Sequence, residues 1–118
     1  PASKTYTAKL SVTASMSKTT KMMNLVLRNP SNSDAQVYQL QVTLDGGANV
    51  MSAKGPAGWA VDYDGDTVIF TTDDKPITKG KLGLFKITAS ATASSIDWES
   101  DDADGNVINA KTTTVSVR

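Results

Sequence analysis

Neither cysteine nor histidine occurs among the 118 residues of this chain. Without cysteine there is no disulfide framework and no thiolate nucleophile. Without histidine the Ser-His-Asp and Cys-His arrangements cannot be assembled, and zinc loses its usual ligands. Long apolar runs are missing too. The longest stretches, such as Leu25-Val26-Leu27 and Val68-Ile69-Phe70, fall far short of the ~20 residues needed to cross a bilayer, so no membrane span is predicted. Charge of one sign is equally absent: twelve Lys and Arg balance twelve Asp and Glu. A nucleic-acid partner, which needs a clustered basic excess to displace counterions, is therefore not expected. Glutamate occurs once, as Glu99, and arginine only as Arg28 and Arg118. The opening Pro1-Ala2-Ser3-Lys4 lacks the apolar stretch of an export signal, which places any such signal upstream of residue 1.

What is present is alternation with a period of two. Tyr6, Ala8, Leu10 and Val12 form one apolar face, Met23, Leu25 and Leu27 a second, and Tyr38, Leu40, Val42 and Leu44 a third. Turn formers separate them: Asn29-Pro30-Ser31-Asn32-Ser33-Asp34 ends the second segment and Asp45-Gly46-Gly47 the third. The region around Val50 and Met51 reads as irregular. Asp64-Gly65 sits between Trp59-Ala60-Val61 and Val68-Ile69-Phe70 as a hairpin tip in which both turn residues take positive φ. Beyond Pro76-Ile77-Thr78-Lys79-Gly80, strands are expected at 82–89, where Phe85, Ile87 and Ala89 share a face, around Ile96 and Trp98, and from Val107 to the Thr113-Val115-Val117 region. No segment keeps helical spacing over ten positions, so almost no helix is expected. Seven to nine short strands in one domain, residues 1–118, describe an all-β antiparallel sandwich.

Candidate functional residues are few. Paired carboxylates could serve a glycosidase, but here they cluster in turns of a chain too small for a flanking cleft, so the protein is not expected to be an enzyme. Asp101, Asp102, Asp104 and Asn106 around Gly105 partly match a cation loop, with calcium as the ion such oxygens would take. The competing reading is an Asp-Gly turn, in which these residues serve the backbone, and no cofactor is then required. Asp62, Asp64 and Asp66 read as the same kind of turn. Trp59 and Trp98 could stack on sugar rings with Tyr38 and Tyr63 beside them, or could anchor the core, since each shares a face with an aliphatic neighbour. Two further readings concern cohesion without sulfur: a Lys9 cross-link to Asn106 or Asn109, and pairing of edge strands between subunits through residues 6–12 or 112–117.

From residue 37 to 117 the chain resembles cohesin-like and related immunoglobulin-like modules of bacterial and archaeal extracellular proteins. The resemblance is carried by Leu44-Asp45, Gly58-Trp59-Ala60-Val61, Asp64-Gly65-Asp66-Thr67-Val68-Ile69-Phe70, Pro76-Ile77-Thr78-Lys79-Gly80 and Phe85-Lys86-Ile87. The chain is shorter than cohesins proper, so only the architecture carries over. The resemblance implies a secreted or cell-surface location. It also implies a non-catalytic structural or adhesive role toward a protein partner or neighbouring domains of the same polypeptide. Carbohydrate binding through Trp59 or Trp98 is the alternative, and a filament or surface-lattice subunit a second one.

Overall fold

The computed structural model describes residues 4–118; the reading of the opening Pro1-Ala2-Ser3 lies outside the described residues. Nine strands follow one another, with no helix among the described residues: β1 (Ser11–Met16), β2 (Met22–Arg28), β3 (Gln39–Leu44), β4 (Val50–Lys54), β5 (Ala60–Asp64), β6 (Thr67–Thr71), β7 (Leu82–Ala89), β8 (Ser95–Asp101) and β9 (Val107–Val117). They hydrogen-bond in the order β4-β7-β2-β1-β9-β8-β3-β6-β5. This one continuous sheet is folded into two layers at β9, whose first part pairs with β8 and whose last three residues pair with β1. The layers close on a shared core. Phe70 of β6 meets Phe85 of β7 with ring centroids 4.8 Å apart, and Leu40, Val42, Val68, Ile87 and Ile96 are fully buried between them.

The alternation places side chains as the sequence implies. Ala8, Leu10, Val12, Ala14 and Met16 are buried in succession, as are Met23, Leu25 and Leu27, and Leu40, Val42 and Leu44. Five details differ. Tyr38 is only half-buried, because it precedes β3, with its hydroxyl beside Gln36. β4 is a strand where the sequence looks irregular, because a shift in pairing with β7 between Val50 and Ser52 breaks the period of two. The hairpin loop is Gly65-Asp66, one residue later than read: Asp64 pairs with Thr67, and only Gly65 has positive φ (+59°), the pattern of a II′ loop. The sheet is not wholly antiparallel, since β1 runs parallel to β9. Residues 6–10 are extended but join no ladder.

The edges also lie elsewhere than expected. Residues 6–12 lead into β1 and residues 112–117 belong to β9, and both strands are interior in the sheet order. The terminal strands are β4 and β5, which meet as the layers close. Val50 N donates to Gly65 O at 2.8 Å, and the Tyr63 hydroxyl donates to Met51 O at 2.8 Å. Residues 11–12 pair with β2 and residues 112–117 pair with β8 or β1, while residues 6–10 join no ladder, so the two chain ends are not the terminal strands of the sheet.

Candidate interaction surface

Trp98 projects inward from β8 and is 3% exposed. Its Nε1 donates to Thr113 Oγ1 at 2.9 Å, and that hydroxyl donates in turn to Val12 O at 3.2 Å. The indole thus ties β8 through β9 to β1 and presents no face for stacking. Trp59, just before β5, is half-buried. It stands edge-on to Phe85, with centroids 5.4 Å apart and planes at 86°, while its Nε1 donates to Lys75 O at 2.9 Å. The structure therefore does not bring the two indoles together.

The acidic turn between β8 and β9 is organised around Asp102. One carboxylate oxygen accepts Asp104 N (2.9 Å) and Asn106 N (2.8 Å); the other accepts Asn106 Nδ2 (3.0 Å) and the Tyr6 hydroxyl (2.5 Å). Burial alone would raise this carboxyl, yet the bonds from Tyr6, Asn106 and Asp104 together hold it down at about 2. The same contact, added to burial, pushes the Tyr6 phenol up to about 12. Four protein donors surround Asp102, and among the described residues no three acidic side chains converge as a cation cage would. Asp101 stands apart on β8. Burial, with Glu99 and Asp102 beside it, raises its carboxyl to about 7, and Gln39 Nε2 donates to it at 3.1 Å.

Nor does the structure pair Lys9 with an asparagine. Lys9 is exposed, while the Asn109 carboxamide accepts from Leu10 N (2.8 Å) and donates to Ala8 O (3.1 Å). Asn106 engages Asp102 and Lys4 N instead.

What the folded chain offers outward is two broad sheet faces. On one, register places Lys54 of β4 directly opposite Lys86 of β7, and Leu84 opposite Val26, with Arg28 beside Leu82. Leu82 and Leu84 are 50% and 61% exposed. On the other face, Gln41 of β3 lies between Ile69 of β6 and Glu99 of β8, Asp62 of β5 lies beyond Ile69, and Asp97 stands opposite Thr43. A shallow depression of 430 Å³ over β3, β8 and β9 is lined by Gln41, Thr43, Asp97 and Glu99 among others. Neither face was read from the sequence, because its members lie up to about sixty positions apart. Sorting the outward position of each strand by charge would have revealed both.

No family model and no curated protein sequence matches this chain. Solved structures do. An immunoglobulin-like protein from Nocardia farcinica is 21% identical, with a TM-score of 0.52 over 95% of this chain and 98% of that one. A non-cellulosomal cohesin from the hyperthermophilic archaeon Archaeoglobus fulgidus is 15% identical, with a TM-score of 0.55 over 94% and 92%. The chitin-binding domain of a chitinase from Pyrococcus furiosus is 22% identical, with a TM-score of 0.52 over 87% and 99%. With its two layers and crossing β9, the chain has the immunoglobulin-like, cohesin-like β-sandwich fold.

Proposed function

We propose that this domain is a non-catalytic contact module of a secreted or cell-surface protein, acting without cofactor or bound cation and engaging a protein partner through a sheet face. The observation that carries the reading is the exposure of Leu82 and Leu84 on the outer face of β7, where β2 lies on one side and β4 has already ended on the other. Large apolar side chains grouped on a flat face and rimmed by charge are the signature of a protein-binding patch. The carboxylates support no competing chemistry: Asp102 is enclosed by donors and Asp101 is buried beside Gln39. The similarity to an archaeal cohesin is consistent with a module whose work is contact.

A second reading, carbohydrate binding, rests on the half-exposed indole of Trp59 and on the likeness to a chitin-binding domain. Depletion from solution by insoluble chitin and cellulose tests the two. The expected result is no retention beyond that of an unrelated β-sandwich. Retention that Trp59→Ala abolishes overturns the protein-contact reading in favour of the sugar-binding one.

A further inference from the structure

The zero net charge of the chain conceals a separation of sign between the strands of its two layers, leaving aside the loops and β9, whose Lys111 reaches the depression over β3, β8 and β9. Strands β1, β2, β4 and β7 carry Arg28, Lys54 and Lys86 and no carboxylate. Strands β3, β5, β6 and β8 present Asp62, Asp64, Asp97 and Glu99 outward, with Asp101 buried, and carry neither lysine nor arginine. The sandwich therefore has one cationic and one anionic face. Like charges directly opposite on neighbouring strands are destabilising. Lys54 and Lys86 nonetheless stand as a directly opposed pair, an arrangement that an anion approaching from outside relieves.

Resting on the protein-contact reading, we infer that the partner is a second copy of this chain, whose anionic β8-β3-β6-β5 face docks on the cationic β4-β7-β2-β1 face. Each face carries what the other lacks. Leu84 stands exposed beside half-buried Val26 on one, half-buried Ile69 holds the middle of the other, and charges of opposite sign flank them. Extents of 43 × 24 × 23 Å give each broad face room for the ~800 Å² per partner of a standard interface. Pairing of identical faces would set lysine against lysine or carboxylate against carboxylate. The contact is therefore heterologous, and since the two faces lie on opposite sides of one molecule it propagates as a stack. With sheets spaced ~10 Å apart, the stack rises about 20 Å per copy.

The test is sedimentation of the whole chain across a concentration series, with charge reversal on each face. One variant carries Lys54→Glu and Lys86→Glu, the other Asp97→Lys and Glu99→Lys, and thermal melts confirm that both fold. The native chain is expected to self-associate at ~50 mM salt and to do so at least about tenfold more weakly at ~500 mM, as screening shortens the reach of the charges. Each variant alone is expected to be monomeric, and an equimolar mixture is expected to associate again, because every interface then pairs opposite signs. A native chain that stays monomeric up to ~1 mM at low salt overturns the inference. So does association that survives either reversal, or native protein that ignores its own copies but binds a soluble polyanion. None of these outcomes touches the chitin and cellulose result, so the two readings fail separately.

Discussion

Asp101 and Asp102 are neighbours in the chain, but their carboxyls are shifted in opposite directions. Asp101 is raised to about 7 by burial and by the acids beside it, and Asp102 is held at about 2 by its donors despite burial. In an unfolded chain both would titrate near ~3.9. For Asp101 the folded state keeps its proton after the unfolded state has lost it. Its contribution is fully present below pH ~4 and is lost as pH rises through about 7. For Asp102 the unfolded state takes up a proton first, so its contribution is present above pH ~4 and is lost as pH falls through about 2. Melting temperature should therefore peak on the acid side of neutrality. Asp101→Asn should flatten the decline between pH ~4 and ~7 while leaving the acid limb in place. Thermal melts from pH 3 to 8 decide it, and a variant whose profile follows the native one would show that Asp101 is not the group responsible. At this scale the sequence already showed the turn, since Asp and Asn around Gly105 serve backbone donors. It could not show the Tyr6 hydroxyl, which arrives from ninety-six residues away.

The element that makes the sandwich possible is β9. Its partner along the seam is residues 8–16, and one offset of 101 residues governs the whole contact. Asn109 Nδ2 donates to Ala8 O, Lys111 Nζ to Leu10 O and Thr113 Oγ1 to Val12 O, after which Ala14 pairs with Val115 through the backbone. The layers are still apart at the first three positions, so side chains span the gap; at the last three they have converged. This explains why inward-facing positions of β9 are polar where an ordinary core strand would be apolar. Asn109 satisfies both Leu10 N and Ala8 O, so Asn109→Ala should strand a partly buried backbone donor and destabilise the domain by about 1–3 kcal/mol. Hydrogen exchange at the Leu10 amide should accelerate before that of β2 or β7. A change below ~0.5 kcal/mol, the range of neutral surface substitutions, would mean that water replaces the carboxamide without cost. The alternation of residues 6–12 was legible as extended chain, but the lack of a ladder at residues 6–10 was not, because a side-chain seam leaves no periodic mark. β4 was missed for a related reason: the irregularity at Met51 removes the period of two by which strands are recognised.

At the scale of the molecule, the two layers are held by a core to which every strand pattern points, and Leu40 sits within it with no exposed surface. Leu40→Ala should cost about 2–5 kcal/mol, read as a lowered denaturant midpoint with an unchanged slope. An unchanged midpoint would contradict the placement of β3. The outer faces follow from the same alternation, since whatever does not enter the core is displayed. The inner half of that pattern was legible in the sequence, while the balanced composition spoke only against a nucleic-acid partner. The balance is real, but the strands of the two layers carry opposite signs, with the remaining charges in the loops and on β9.

Fold class, the alternation of core residues and the exclusion of histidine- and cysteine-based chemistry were determined by sequence alone, because each depends on residue type or on spacing within a single strand. Strand order, the seam at β9, the burial of Trp98 beside Thr113 and the separation of charge were decided only by the tertiary structure. Each of these joins residues far apart along the chain, and a period of two says which side of a strand a residue occupies but not which strand will lie next to it.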